Sequence, residues 1–145
     1  PVLEKIRANS EGLFTLQTLK YLIHGGRISH LKGLLASLLN IKPLIAVDKE
    51  HGKYVTHGQE VTMKRAIHKL TGVVSEWHSH GSKLRVQLLH GNNLEGVEIL
   101  RQRMSELFDC VFEPVVAVAP VLGAHTGPGL VGLAVARADL FSQLS

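Results

Sequence analysis

The chain has 145 residues, of which 45% are hydrophobic and 19% are charged. A chain of this length buries about two-thirds of its unfolded surface, and this composition excludes a disordered segment. The net charge of +4 is spread along the chain and only 5% of residues are aromatic, so we expect no nucleic-acid partner. Apolar runs are too short for a transmembrane helix, and a single cysteine excludes an internal disulfide. The sequence therefore predicts a soluble cytoplasmic protein.

The first third of the chain predicts two helices separated by a glycine pair. Apolar residues three and four apart predict a short helix over Leu16–His24, with Thr15 as its N-cap. Gly25-Gly26 ends this helix, because glycine readily takes the left-handed conformation found after helix C-termini. A leucine-rich stripe from Ile28 to Leu39 predicts a second helix that is covered on more than one side.

The middle of the chain predicts a hairpin, a helix and a strand. Ile41–Val47 and Lys53–His57 are short apolar segments separated by a turn, which indicates two paired strands. Met63–Trp77 has clear helical spacing, and Lys83–His90 is typical of a strand.

The last third predicts one more helix and two central strands. Asn92 and Glu95 resemble a capping box that begins a helix reaching Phe108. Phe112–Ala119 and Leu130–Arg137 are continuous apolar runs, which is typical of central strands. Because strands alternate with helices, we expect one layered domain of the α/β class, in its α+β variant.

A glycine-rich segment between those two runs is the first candidate site. Gly123–Gly129 contains three glycines, whose backbone amides can approach an anion closely. His125 and Thr126 add hydrogen-bond donors for a carboxylate or a phosphate. An ordinary glycine and proline turn between two strands explains the same residues.

The glycine pair after the first helix is the second candidate site. Arg27 follows it directly, and the next helix begins near Ser29 with free amides and a positive dipole end. This corner can attract an anion, but a solvated arginine at a turn between two helices fits equally well.

The nine histidines and the cysteine predict no metal centre and no nucleophile. His78 and His80 lack an identifiable third ligand, and no P-loop, dinucleotide fingerprint or nucleophile elbow is present. Cys110 is expected to be a small buried residue. The other histidines are expected to be solvent-facing or to serve in turns, namely His51, His57, His68 and His90.

Three segments together resemble the C-terminal half of the DegV family: Thr18–Ser29, Leu35–Leu44 and Gly123–Gly129. The resemblance extends from about Leu13 to Ala136. It implies a mixed, mainly antiparallel sheet with packed helices. It also implies a long-chain fatty acid as ligand and no cofactor.

The resemblance further implies a role in bacterial fatty-acid kinases, where such a protein is the acyl-binding subunit. That subunit presents the carboxylate to a separate ATP-dependent kinase subunit, carries the acyl phosphate used in phospholipid synthesis, and is not itself the catalyst. His125 matches the histidine that hydrogen-bonds the carboxylate, with Thr126 beside it, and Arg27 and Gly26 lie near the head group and the kinase. The leucine-rich stripe resembles the acyl-tunnel lining, at Ile28, Leu31, Leu34, Leu35 and Leu38.

The resemblance also implies a second, N-terminal domain, which we expect to lie outside these 145 residues. Residues 1–12 resemble the end of the linking helix, and residues 13–145 the C-terminal domain. With one wall of the acyl tunnel present and the other in the second domain, the lining residues form an exposed apolar patch, which favours self-association. Two alternatives from other classes stay open: a stand-alone enzyme acting on a small anionic ligand, and a protein-docking domain.

Overall fold

A computed structural model describes residues 1–26 and 41–144 of the chain. Its five described helices are α1 (Val2–Ala8), α2 (Lys20–His24), α3 (Met63–Trp77), α4 (Leu94–Leu107) and α5 (Pro120–Thr126). Its seven described strands are β1 (Glu11–Thr15), β2 (Lys42–Asp48), β3 (Lys53–Glu60), β4 (Lys83–His90), β5 (Asp109–Phe112), β6 (Val116–Ala117) and β7 (Val131–Arg137). A 3₁₀ helix, Ala138–Leu144, follows β7.

All seven strands form one sheet in the order β3-β2-β1-β7-β4-β5, with β6 also paired to β4. The β4–β5 and β4–β6 pairs are parallel and the other pairs are antiparallel. The N-terminal strand β1 lies between β2 and β7, with Leu13 opposite both Ala46 and Leu133. The predicted fold class, a layered α/β domain with a mainly antiparallel sheet, is confirmed.

The larger core lies on the face of the sheet that α3 and α4 cover. Side chains alternate between faces along a strand, so Leu13 and Leu44 point into this core while Phe14 and Ile45 point away from it. Helix α3 contributes Ile67 and Leu70 among other buried apolar residues. Each fully buried leucine or isoleucine stabilises the fold by roughly 1.5–3 kcal/mol relative to an exposed one.

The opposite face carries a smaller core next to α2 and α5. Phe14 and Ile45 from the sheet meet Leu22 from α2 and Leu130 from the segment before β7. The ring of Tyr54 packs edge-on against Phe14 at 5.7 Å between centroids. This second core fixes α2 at one end of the sheet, where the candidate site lies.

The helix and strand boundaries in the middle of the chain agree with the periodicity. The hairpin of β2 and β3, helix α3 and strand β4 all lie where the sequence predicts them. Thr62 caps α3 by accepting a hydrogen bond from the Arg65 amide. The cap of α4 was misplaced by one residue, because Asn93, and not Asn92, accepts from the Gly96 amide.

Three predictions for local structure were wrong. Thr15 is the last residue of β1 and not a helix N-cap, and the helix predicted from Leu16 begins only at Lys20. Phe112–Ala119 is not a central strand, because the chain forms the short strands β5 and β6 on either side of Pro114. The glycine-rich segment between the last strands is not a loop throughout, because Pro120–Thr126 is helical.

The helix predicted over Ile28–Leu39 lies outside the described residues. Residues 1–12, predicted as a linker, contain α1 and also the first two residues of β1. The longest helix in the described ranges, α3, has 15 residues, and no helix there is long and apolar enough to cross a bilayer.

Candidate functional site

His125 and Thr126 lie in the last turn of α5, a seven-residue helix that begins with Pro120. Proline suits the first turn of a helix, because its fixed φ is already helical and no amide hydrogen is needed there. Gly127 ends the helix with φ +77° and ψ 175°, and its amide bonds to the Gly123 carbonyl at 2.8 Å. The two candidate side chains therefore have positions set by a helix and not by a loop.

The turn after α5 is tied to the turn between β4 and α4. The Gly129 amide donates to the Gly91 carbonyl at 2.6 Å, and the Asn93 side-chain amide donates to the Gly129 carbonyl at 3.0 Å. Nδ1 of His90 accepts from the Asn93 amide at 3.1 Å, which is the turn role expected for His90. These bonds hold the C-terminal end of α5 against the sheet.

Helix α2 packs directly on α5 through glycines. The ring of Tyr21 lies against Gly127 so closely that an added Cβ would come within 2.6 Å of Cε2 of that ring. The side chain of Gln17 lies in the same way beside Gly129. Gly127 has both a backbone conformation that favours glycine and no space for a side chain. The part of the second predicted site that the structure describes thus forms one structural unit with the first, the α2–α5 junction.

The ring of His125 is inserted at this junction, against Gly25. A Cβ at position 25 would overlap Nδ1 of His125 and come within 3.2 Å of Cε1. Nδ1 is buried, and none of the residues that the structure describes forms a hydrogen bond with it. Buried polar atoms without a partner are uncommon in folded proteins, so the position of this nitrogen needs an explanation.

Thr126 is almost completely buried, and its hydroxyl donates to the Leu122 carbonyl at 2.9 Å. This bond lies within α5. The hydroxyl hydrogen is therefore already used, which differs from the expectation that Thr126 offers a second donor to an anion.

Only part of the second candidate site falls in the described ranges. Gly26 follows α2 with φ +71°, so the predicted helix end at the glycine pair is confirmed. Arg27 and the predicted tunnel-lining residues lie outside the described residues, namely Ile28, Leu31, Leu34, Leu35 and Leu38.

Apart from His125, the titratable side chains in the described part of the chain form no metal site. Within residues 1–26 and 41–144, no three His, Cys, Asp or Glu side chains are grouped closely enough to hold a metal ion. Nε2 of His78 lies 3.7 Å from a carboxylate oxygen of Glu11. Burial raises the pKa of the Cys110 thiol to about 11, helped by the nearby charge of Asp109, which fits a structural role.

A groove of about 530 Å³ lies on the sheet face that also carries the smaller core, beside the C-terminal 3₁₀ helix. Arg85 crosses it, paired with Glu113 and placed 4.6 Å above the ring centroid of Phe141. The groove is lined by Ala134 and Ala136 and not by His125. It is therefore separate from the α2–α5 junction.

The sequence of the chain from residue 1 to residue 138 matches the profile of a family described as uncharacterised protein, DegV family. The chain belongs to the DegV family. The family resemblance predicted from Thr18–Ser29, Leu35–Leu44 and Gly123–Gly129 is confirmed.

Relatives and solved structures of the DegV family agree with this assignment. A DegV domain-containing protein of Deinococcus radiodurans is 36% identical over 131 residues, covering 90% of this chain and 46% of that protein. A DegV lipid-binding protein of Thermotoga maritima superposes with a TM-score of 0.80 at 26% identity, over 94% of this chain and 46% of that one. A fatty-acid-binding DegV family protein of Thermus thermophilus superposes with a TM-score of 0.77 at 27% identity, over 93% of this chain and 48% of that one. The chain thus spans about half the length of these DegV proteins.

Sequence reasoning missed the residues that assemble the α2–α5 junction. Tyr21 and Gln17 carry no local signal, because their role depends on glycines more than a hundred residues away. The sequence does indicate a helix cap near Asn93, because two adjacent asparagines follow the predicted strand Lys83–His90. Its bond to the Gly129 carbonyl follows only from the sheet order, which places β4 beside β7.

Proposed function

We propose that this chain binds a long-chain fatty acid and holds its carboxylate at the α2–α5 junction, with His125 as the hydrogen-bond donor. The observation that carries the proposal is the His125 ring, which is fixed at the junction of two glycine segments with one nitrogen buried against Gly25, so that the other nitrogen is left for a ligand. The lipid-binding and fatty-acid-binding DegV proteins of similar structure support the choice of ligand.

A carboxylate that leaves water needs donors at its new position. Burying an ionised carboxylate without partners costs many kcal/mol, whereas a hydrogen bond to a charged group contributes about 1.5–3 kcal/mol. His125 can supply such a bond from its second ring nitrogen. Thr126 then has a supporting role, because its bond to Leu122 fixes the turn that carries His125.

The acyl chain requires a long apolar slot. We assign its wall to the leucine-rich stripe that follows Gly26, at Ile28, Leu31, Leu34, Leu35 and Leu38. An apolar lining with a few polar groups at one end is the general design of small-molecule sites. Each methylene of the ligand that leaves water contributes about 0.8 kcal/mol to binding.

The other half of the site comes from an N-terminal domain, to which residues 1–12 provide the link. This assignment is supported by the length of the similar DegV proteins, of which the chain covers 46% to 48%. Without that domain the apolar slot is open on one side, and self-association of the chain would cover it.

The bound fatty acid is presented to a separate ATP-dependent kinase subunit, which forms the acyl phosphate. Arg27 and Gly26 face that subunit in this proposal. The chain contributes binding and orientation, with no catalytic residue of its own. The reaction takes place in the bacterial cytoplasm and supplies phospholipid synthesis.

The test compares two histidine variants of the protein that contains this chain. Fatty acid is extracted and identified by mass spectrometry, and affinity for oleate is measured by displacement of a fluorescent fatty acid. We expect His125→Ala to weaken binding by about 10- to 100-fold, which corresponds to the loss of one bond to a charged group. His68→Ala is the control, because His68 is exposed on α3, and it should leave affinity unchanged. Equal affinity in both variants would contradict the assigned role of His125.

The kinase part has its own test. Acyl phosphate should form from ATP and bound fatty acid only when a kinase subunit is added. Turnover of acyl phosphates or phosphoesters by the protein alone would instead support the alternative of a stand-alone enzyme.

A further inference from the structure

The two glycines after α2 meet different physical requirements. Gly25 has φ −79° and ψ −2°, a right-handed conformation that any residue adopts without strain, yet a Cβ there would overlap Nδ1 of His125. Gly26 has φ +71°, which favours glycine, yet an added Cβ there would meet no atom within 4 Å in residues 1–26 and 41–144. Position 25 therefore requires glycine for space, and position 26 requires it for backbone conformation.

We propose that Gly25 is a positioning residue for the His125 ring, and that it selects Nε2 of that ring as the nitrogen that binds the carboxylate. This inference rests on the proposed function of His125. Because Gly25 has no side chain, the ring can lie with Nδ1 against the α2 backbone. Any larger residue at position 25 would turn the ring away and change which nitrogen the ligand meets.

The buried nitrogen also determines where the neutral ring carries its hydrogen. A neutral imidazole has one nitrogen that donates and one that accepts. A hydrogen on Nδ1 would be a buried donor with no acceptor, which costs about 1–3 kcal/mol. The hydrogen therefore lies on Nε2, and Nε2 donates to the carboxylate.

Stability measurements on four proteins test the contact: wild type, Gly25→Ala, His125→Ala and the double variant. We expect Gly25→Ala to lower the urea midpoint when His125 is present and to have little effect when residue 125 is alanine, because the overlap then disappears. An added Cβ also comes within 3.1 Å of the Tyr21 carbonyl oxygen, and that contact is equal in both backgrounds. Gly26→Ala is the matched control, whose backbone strain should lower the midpoint equally in both backgrounds. An equal effect of Gly25→Ala in both backgrounds would overturn the inference.

Two further measurements separate positioning from general destabilisation. The ¹⁵N shifts of the His125 ring at neutral pH should show hydrogen on Nε2 in the wild type and a changed pattern in Gly25→Ala. Affinity for oleate should fall about as far in Gly25→Ala as in His125→Ala, with no further loss in the double variant. Hydrogen on Nδ1 in the wild type, or unchanged oleate affinity in Gly25→Ala alone, would overturn the inference. Unchanged affinity in His125→Ala would overturn the proposed function instead, whatever the urea midpoints show.

Discussion

Two buried threonines in different environments should respond to the same substitution with opposite signs. Thr15 in β1 is completely buried on the face of the sheet that carries the larger core, and its hydroxyl has no hydrogen-bond partner among the described residues. Thr71 in α3 is 1% exposed, and its hydroxyl donates to the His68 carbonyl at 2.6 Å. Valine has nearly the same shape as threonine, so Thr→Val removes the hydroxyl and leaves the packing.

The expected sizes follow from these partners. An unpaired buried hydroxyl costs about 1–3 kcal/mol, so Thr15→Val should raise the free energy of unfolding by about 1–2 kcal/mol. Valine also suits a strand, which adds to the gain. Thr71→Val removes the hydrogen bond to the His68 carbonyl, which contributes about 0.5–1.5 kcal/mol, and should lower the free energy of unfolding by up to that amount.

Urea unfolding followed by circular dichroism measures both changes, provided that the slope of free energy against urea is the same in each variant. In a chain of this size, 1 kcal/mol corresponds to a change of about 2–4 °C in Tm. A lower stability of Thr15→Val would refute the reasoning, because it would mean that the hydroxyl has a partner in solution. A gain in stability for Thr71→Val would equally contradict the value placed on its bond.

Three other predictions follow from local contacts. Gly72→Ala should stabilise the chain by about 0.5–1 kcal/mol in urea unfolding, because a Cβ there meets no atom of the described residues within 4 Å. Gly96→Ala should destabilise the chain, because a Cβ there would come within 2.5 Å of a Val131 methyl group, and a gain in stability from both variants would contradict this reasoning. Because the pKa of the Cys110 thiol is raised to about 11, Cys110 should react with iodoacetamide at pH 8 more slowly in the folded than in the unfolded chain, and equal rates would argue against a raised pKa. The stability that the protonated thiol contributes below pH 9 should be lost as the pH rises to about 11. The hydrogen bond from His51 lowers the pKa of Asp48 below its ordinary value of 3.8, so the stability that this bond contributes above pH 3.8 is lost in more acidic solution. In an NMR titration of the His51→Ala variant, the pKa of Asp48 should return toward 3.8, and an unchanged pKa would exclude His51 as the main cause.

Much of the fold could be predicted, because its longest elements have clear periodicity. Helix α3 and strand β4 have apolar residues at helical or alternating spacing, and their bounds agree with the sequence patterns. Strand β1 was missed, because its apolar residues Leu13 and Phe14 lie just before Leu16 and Leu19, which have helical spacing. Only its pairing with β2 and β7 identifies it as a strand, and that pairing is a long-range property.

The site was predictable in its parts and not in its assembly. Both glycine segments were recognisable, since each places glycines beside side chains that can bind an anion, His125 in one and Arg27 in the other. The helical conformation of α5 was not, because a seven-residue segment with glycines within and after it has little helical preference of its own. Contacts with α2 and with the turn after β4 fix it, and these involve residues distant in sequence such as Tyr21 and Asn93.

The position of β1 has a consequence for how the chain folds during synthesis. Its outer neighbour β2 is made early, but its other neighbour, β7, is made last, with Glu11 opposite Val135. Until the ribosome has released residues near 137, the hydrogen-bonding edge of β1 that faces β7 has no native partner. At about 5–20 residues per second, this edge is exposed for about 6–24 seconds, long enough for pairing with another nascent chain. Chaperone binding to the paired strands β1 and β2 is therefore most useful in this interval, before β7 joins the sheet.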